Sequence, residues 1–361
     1  YKNKKVLITG HTGFKGTWLN LWLEKLGAQV FGYSNKISTG HSHYKYLYPQ
    51  KHSSFIKQDV TDFEQLETCI NSVKPDFIFH LAAEAIVTTC HEFPRQAFLT
   101  NTIGSINLLD ILKDYSRNCV TVFITSDKCY ENVEWEYGYR ENDRLGGKDP
   151  YSASKASAEI AFASFYRSYL IHRPNIKVAS ARAGNVIGGG DWSPDRIIPD
   201  TIKSWANKDP VKIRNPHATR PWQLVLEPLS GYLQLGEKLH NEPKDINGQS
   251  FNFGPTESTN FSVLDVIKEM QKSWTNTTFE VPNVEKFNAK ECRLLKLCCD
   301  KANHWLNWEA VLTFAETIEM TTDWYRNFYN KDFSAVKDQS LKQIDMYETM
   351  ARERHRSWSI T

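Results

Sequence analysis

The chain has no run of about 18 apolar residues, so it offers no span for a bilayer. No secretory leader is expected either, since Tyr1-Lys2-Asn3-Lys4-Lys5 leads into a strand and not into an apolar core of signal-peptide type. An excess of one charge is also missing. Forty-four Lys+Arg stand against 42 Asp+Glu, a formal net charge of +2, and nothing indicates a nucleic-acid surface. Cysteine occurs seven times (Cys69, Cys90, Cys119, Cys129, Cys292, Cys298 and Cys299), an odd number without the paired spacings that bind zinc, so no metal site is expected. Even the vicinal Cys298-Cys299 reads as chance proximity in a reduced protein. These absences point to a soluble protein of a reducing, cytoplasmic compartment whose partner is a small molecule, with neither nucleic acid nor membrane. Its 361 residues can bury a large core, as one large domain with an appendage or as two domains.

What is present is an alternation of strands and helices. Val6-Leu7-Ile8-Thr9 is an apolar strand, and Gly10-His11-Thr12-Gly13-Phe14-Lys15-Gly16 turns it into a helix from about Thr17 to Leu26. Glycines spaced by three allow a tight turn, close approach of backbone to a pyrophosphate, and close helix–strand packing; the helix N-terminus supplies N–H groups to the anion. Gly10, Thr12, Gly13, Phe14, Lys15 and Gly16 are therefore candidate dinucleotide contacts. A second strand, Gln29 to Tyr33, ends in Ser34-Asn35-Lys36, with no acid for an adenosine 2′-hydroxyl. NAD against NADP stays open here, since Lys36 would tolerate a 2′-phosphate.

The stretch from Ile37 to His52, with His41, His43, Tyr44, Tyr46 and Tyr48, reads as a solvated or oligomer-contact insertion. Strand Phe55 to Asp59 follows, Asp59-Val60 being placed to meet an adenine amino group. A helix over 62–72 leads to strand Asp76 to His80, after which Leu81, Ala82 and Ala83 are small enough for a dinucleotide to pass close to backbone. One helix is expected from about Pro94 to Lys113, with Pro94 in its first turn and Asn101 in its first half. The repeated alternation argues for an α/β fold with a doubly wound parallel sheet.

The chemistry concentrates after the apolar run Val120 to Ile124, a buried parallel strand. Ser126-Asp127-Lys128 sit at its end, the carboxyl edge where open α/β sheets bind ligands. Tyr151-Ser152-Ala153-Ser154-Lys155 opens a helical segment to Tyr166, and the i, i+4 spacing puts Tyr151 and Lys155 on one face. An ammonium beside a phenol eases its ionisation.

Taken together, the glycine turn, His80-Leu81-Ala82-Ala83, Thr100 to Gly104, Ser126-Asp127-Lys128 and Tyr-x-x-x-Lys resemble the extended short-chain dehydrogenase/reductases acting on nucleotide sugars. Longer motifs narrow this to the CDP-glucose 4,6-dehydratases: His11 to Gly16, Thr125 to Tyr130, Gly138 to Asp143, Gly184 to Trp192, Arg214 to His217 and Arg220 to Gln223. The similarity runs from about residue 4 to 350. It implies a Rossmann sheet with a smaller C-terminal substrate-binding lobe. Residues 1–183 with roughly 220–260 would form the NAD domain, 184–219 with roughly 261–350 the lobe, and 351–361 an unassigned tail.

It also implies a reaction: NAD oxidises C4 of the hexose, water leaves across C5 and C6, and the same hydride returns to C6. Tyr151 would take the C4 hydroxyl proton, Ser126 would bond that oxygen, and Lys155 would steady the phenolate and grip the nicotinamide ribose. Asp127 would be the acid for the leaving C6 oxygen. Lys128 is the candidate base for the C5 proton, where many relatives carry Glu; if it stays charged, its role becomes electrostatic. Asn185, Arg196 and Arg220 would reach the sugar nucleotide, the arginines its diphosphate, with Lys212 to Asn215 and thus Arg214 beside the base. Glu291 belongs to a recognisable segment in which Cys298 replaces the usual Asp.

The resemblance further implies a homodimer packed through the helices beginning near Pro94 and Tyr151, or a tetramer made of two. Relatives carry Gln-Pro-Leu-Val-Arg and then Ser-Tyr where this chain has Glu84-Ala85-Ile86-Val87-Thr88 and Cys90-His91. That changes charge where the hexose should bind, so Glu84 is a substrate candidate while sugar and nucleotide stay open. A C4 epimerase or reductase would leave Asp127 and Lys128 idle, and a non-catalytic NAD or nucleotide-sugar sensor would leave Ser126, Tyr151 and Lys155 idle. The four tryptophans Trp274, Trp305, Trp308 and Trp324 read as core of the lobe.

Overall fold

Short runs of β-branched and aromatic residues form the central strands because both of their faces are covered: β5 and β4, defined below, are buried at every position. The computed structural model describes residues 1–38, 40–49, 54–256, 261–275, 277–281, 294–330 and 333–360. In chain order the first half contains β1 (Lys5–Thr9), α1 (Phe14–Lys25), β2 (Gln29–Ser34), α2 (His43–Leu47), β3 (Phe55–Lys57), α3 (Phe63–Val73), β4 (Phe77–His80), α4 (Val87–Glu92), α5 (Pro94–Phe98), α6 (Gly104–Asp114), β5 (Cys119–Ile124) and α7 (Pro150–Ser168). Then come β6 (Ile176–Ala183), β7 (Val186–Ile187), α8 (Ile197–Ala206), β8 (Val211–Lys212), β9 (Thr219–Arg220), β10 (Gln223–Leu224), α9 (Leu226–Asn241) and β11 (Ser250–Phe253). The chain closes with β12 (Phe261–Ser262), α10 (Val263–Ser273), β13 (Phe279–Glu280), α11 (Asp300–Leu306), α12 (Phe314–Asn330) and α13 (Val336–Glu353).

Seven strands pair in parallel in the order β11-β6-β5-β4-β1-β2-β3. This is the expected doubly wound sheet. The chain runs outward to β2 and β3, then crosses to the other side of β1 for β4, so a crevice opens above Thr9 and its register partner His80. One apolar cluster joins a face of the sheet to α1, α9 and the C-terminal helices; a second, with Leu66, Ile70, Leu108, Leu112 and Phe162, covers the other face with α3, α6 and α7. His80 pins the crevice floor, hydrogen-bonded to Thr9 Oγ1 at 2.8 Å and Ser105 Oγ at 3.2 Å.

Three expectations change. The helix from Pro94 to Lys113 is interrupted by a π-turn, Leu99–Ile103, which turns Asn101 inward. Such a widened turn leaves no mark on apolar periodicity. The segment after β2 is not a solvated insertion: it forms α2, and His43, Tyr44, Leu47 and Tyr48 are buried, His43 Nε2 lying 2.9 Å from Ser340 Oγ on α13. Burying several aromatic rings together outweighs the polarity of the histidines. Thr39 and 50–53 lie outside the described residues. Among the tryptophans, Trp308 and Trp324 are core and Trp274 is partly buried, but Trp305 is exposed. The unplaced tail packs: Trp358 stacks on Tyr347, and Arg354 pairs with Glu316 at 2.5 Å.

Glu227 of α9 secures that region. Its buried carboxyl accepts from the N–H of Val311 and of Leu312 at 2.9 and 2.6 Å, and from the Tyr347 hydroxyl at 2.7 Å. Burial lifts its pKa to about 7 against those three donors. A carboxyl raised in the folded state gives stability that is complete below its unfolded value and lost as pH climbs through the folded one. Unfolding free energy should therefore fall by about 3 kcal/mol between about pH 4.5 and 7 through this group. Urea melts at pH 5 and 8 should show that difference shrink in Glu227→Gln; an undiminished difference would refute the assignment.

Candidate active site

The chain leaves β5 at Thr125 and makes a single 3-10 turn, Asp127–Cys129, capped by Ser126, whose Oγ accepts from Lys128 N at 3.2 Å. Ser126 Oγ donates to Asp127 Oδ1 at 2.9 Å, and Asn185 Nδ2 donates to Asp127 Oδ2 at 3.3 Å. Asp127 is 2% exposed and lies against Gly184, where any Cβ would fall 1.9 Å from Oδ2. Only glycine leaves room for that carboxylate. The neighbouring Asn185 takes a left-handed backbone, φ +52°, a conformation Asn tolerates better than most residues.

Helix α7, with Pro150 in its first turn and the Asp149 side chain capping Ser152 N, brings Tyr151 and Lys155 to the same place. Lys155 Nζ donates to Ile124 O at 3.4 Å. The easing of phenol ionisation expected from the helix spacing is not found. Burial pushes Tyr151 up to about 12, more than its bond to Ser126 and the Arg196 charge draw it down. Burial also lowers Lys155 to about 8, against the pull of Glu159. Desolvation disfavours the charged form of both groups, and here it exceeds the neighbouring charge. Lys128 stands half-buried at the rim of the turn.

Gly10 (φ +73°) has no room for a side chain, since a Cβ would lie 2.8 Å from Ala82 N. Leu81, Ala82 and Ala83 thus run against the glycine turn, with Leu81 N bonded to Thr9 O. Gly13 caps α1 without a side chain, and the first turn has no acid, which leaves its N–H groups suited to an anion such as a dinucleotide pyrophosphate. Thr12 Oγ1 donates to Lys36 O at 2.7 Å. Asp59 accepts from Asn35 Nδ2 at 2.7 Å, so a carboxylate stands at the end of β2 although β2 has none. Val60 is buried against Gly104. Asn101 is buried as a brace: Oδ1 accepts from Glu84 N at 2.7 Å, and Nδ2 donates to Ser154 Oγ at 2.9 Å. Phe14 sits near Gly188, while Lys15 turns inward to Tyr232.

The remaining candidates spread along the other wall. Glu84 holds Ile86 N at 3.3 Å and comes within 4.0 Å of Lys36. Arg196 pairs with Asp191 at 3.0 Å and acts electrostatically on Tyr151. Arg214 lies 3.6 Å from Asp195, whose other oxygen accepts from Thr88 Oγ1 at 3.0 Å. Arg220 is on β9, its Nη1 donating to Thr219 O at 2.7 Å. Glu291 lies outside the described residues.

Residues 7–321 match the family described as GDP-mannose 4,6 dehydratase. The chain belongs to that family. It is 40% identical over 330 residues to CDP-glucose 4,6-dehydratase of Salmonella typhimurium, covering 90% of this chain and 91% of that one. It is 24% identical over 344 residues to dTDP-glucose 4,6-dehydratase of Haemophilus influenzae, covering 89% and 97%. Among solved structures, dTDP-glucose 4,6-dehydratase from Bacillus anthracis in complex with NAD superposes with a TM-score of 0.72 at 21% identity, covering 90% of this chain and 97% of that one. UDP-glucuronic acid 4-epimerase from Bacillus cereus, in complex with UDP-glucuronic acid and NAD, gives 0.75 at 22% identity, covering 90% and 100%.

Beneath the active-site turn, this member of the GDP-mannose 4,6-dehydratase family carries a charged network that motif reading missed. Glu159 and Arg182, 2% and 3% exposed, pair at 2.7 Å. Thr125 Oγ1 donates to Glu159 at 2.5 Å, and Arg182 also donates to Tyr130 Oη at 2.8 Å, which in turn donates to Asn252 Oδ1 at 2.7 Å. The signal was present: Glu159 continues the 151, 155 face of α7, and Arg182 is a charge within the apolar C-terminal half of β6, where Lys177 near its start is the other. Burial would raise Glu159, but Arg182 overrides it and holds the carboxyl below its usual range. Arg182→Met should strand a buried carboxylate at a cost of about 3–5 kcal/mol, and adding Glu159→Gln should recover most of it. Urea midpoints of the two single variants and the double variant test the coupling; strictly additive losses would contradict it.

Proposed function

We propose that the chain is an NAD-dependent hydro-lyase that converts CDP-D-glucose to CDP-4-dehydro-6-deoxy-D-glucose. The observation that carries this reading is Asp127, a buried carboxylate bonded to Ser126 within the same turn. Oxidation at C4 needs only Ser126, Tyr151 and Lys155, whereas loss of the C6 oxygen needs a further acid. The 40% identical dehydratase supports the same choice.

NAD, when bound, takes two electrons from C4 of the hexose and returns them at C6. Gly10, Gly13, Phe14 and Gly16 would hold its diphosphate, with Leu81, Ala82 and Ala83 beside them, whereas Lys15 turns away to Tyr232. Asp59, held ionised by the bonds from Thr61 and Asn35 that outweigh its burial, makes the end of β2 anionic and disfavours a 2′-phosphate. Tyr151 accepts the proton of the C4 hydroxyl while Ser126 bonds that oxygen and Lys155 steadies the phenolate. Asp127 then gives its proton to the departing C6 oxygen as water, and Lys128 takes the C5 proton and returns it to C5 in the final reduction. The net change is loss of one water, so Tyr151's proton restores that of Asp127. Arg196 and Arg220 receive the substrate diphosphate, with Arg214 beside the base and Asn185 and Glu84 at the sugar.

The same reading has the protein act in the cytoplasm as a homodimer or a dimer of dimers. Phe98 and Ile160 are exposed on α5 and α7, an apolar face suited to a second copy. The six described cysteines are free.

Incubation with CDP-glucose and NAD should give a 4-keto product that develops its chromophore in alkali. Asp127→Asn should lower turnover by about 10²- to 10⁴-fold with NAD binding intact. Lys128→Arg, permanently charged, should be as impaired as Lys128→Met if Lys128 is the base, and near wild type if its role is electrostatic. No product from CDP-glucose alongside turnover of another nucleotide sugar would sink the nucleotide assignment, and full activity in Asp127→Asn would favour a C4 epimerase.

A further inference from the structure

A lysine in a glycine-rich turn at a helix N-terminus is ordinarily placed to face phosphate. Lys15 does not take that course. Its Nζ donates to Tyr232 Oη at 3.3 Å and stands 5.8 Å from the centre of that ring, and Tyr232 is fully buried on α9. Although Lys15 as a residue is half-buried, its amine therefore ends inside the protein, under the active-site turn.

The charged and titratable groups around it come from each element packed there. Lys155 on α7 and Arg196 before α8 repel it, and Asp127 of the active-site turn attracts it. Tyr232 in turn feels both Tyr151 and Asp127. Burial, followed by Lys155, lowers Lys15 to about 7. Its charge thus turns over near neutrality, next to the groups that must gain and lose protons.

We propose that Lys15 is a positioning residue of the catalytic centre, its ammonium held on Tyr232 so that it adds positive charge behind Asp127 and Lys155 and thereby favours the Tyr151 phenolate. This rests on the dehydratase reading given above. The logic is electrostatic. Tyr151 is held protonated by burial, and every positive charge retained nearby moves its ionisation toward neutral pH. Lys15 carries that charge in acid and gives it up in alkali, so it extends activity on the acid side.

The test uses the full-length protein with three variants: Lys15→Met, Lys15→Arg and, as a gentler change outside the glycine turn, Tyr232→Phe. The acid limb of kcat/KM against pH should move up by about one pH unit in Lys15→Met. It should stay near wild type in Lys15→Arg and move part of the way in Tyr232→Phe, with wild type, Lys15→Met and Tyr232→Phe converging above about pH 8 as the lysine loses its charge. Tryptophan fluorescence gives NAD affinity independently of turnover. Lys15→Met should bind NAD within about threefold of wild type at pH 9, whereas an ordinary phosphate anchor would lose tenfold or more at every pH. An unmoved acid limb, or that uniform loss of NAD affinity, would overturn the proposal. Failure of the substrate assignment is distinguishable, because wild type would then form no 4-keto product while the NAD measurement still reports on Lys15.

Discussion

Desolvation at the carboxyl end of β5 governs what this pocket can do. Water is nearly absent around Asp127, Lys155, Glu159 and Arg182, none of them more than 5% exposed. An ion there must be paired or must give up its charge. Glu159 and Arg182 take the first course and stay ionised as a structural pair. Lys155 is drawn part-way along the second, and the Tyr151 phenol resists ionisation outright. Burial therefore opposes the ionisation that the proposed chemistry asks of Tyr151, which makes each cation held near it consequential.

The sheet explains why these groups meet at all. Strand β5 lies between β4 and β6, so its end is flanked by Leu81 to Ala83 on one side and by Gly184-Asn185 on the other. The bare Cα of Gly184 lets the Asp127 carboxylate lie against the backbone, and Asn185 then bonds it. Helix α7 crosses above with Tyr151, Lys155 and Glu159 on successive turns of one face. Residues far apart in sequence thus converge by register, and the pair of Glu159 and Arg182 ties the helix to β6 below them.

Much of this was legible in the sequence because it is local. A parallel strand buried on both faces is a short apolar run, a glycine turn announces itself by spacing, and a helix face is an i, i+4 pattern. The π-turn at Leu99–Ile103 was hidden because adding one residue to a turn shifts side chains without altering composition. Helix α2 was misjudged because its histidine and tyrosines look polar until Trp18 of α1, Trp324 of α12 and Ser340 of α13 surround them. The direction of the Tyr151 shift was missed for a different reason: spacing shows which charge is near but not how much water is lost. The inward turn of Lys15 depends on Tyr232, 217 residues away, and no local pattern contains it.

The departure at Glu84 to His91 looks severe as a list of side chains and milder in place. Glu84 faces Lys36 at the edge of the crevice, and its backbone is held by Asn101, so its new charge is partly answered outside the hexose region. Thr88, where an arginine is expected, spans to Asp195, which also faces Arg214. Asp191 similarly occupies Arg196. Arg196, proposed for the diphosphate, and Arg214, proposed beside the base, therefore already have carboxylate partners, and a dianion arriving at Arg196 exchanges one anionic partner for another. Because the charges of Arg196 and Arg214 are already answered by carboxylates, electrostatic attraction alone contributes little to binding. Discrimination then falls to the geometry of the bidentate bonds and to contacts with the base and hexose, which is where a chain with this altered loop differs from its relatives.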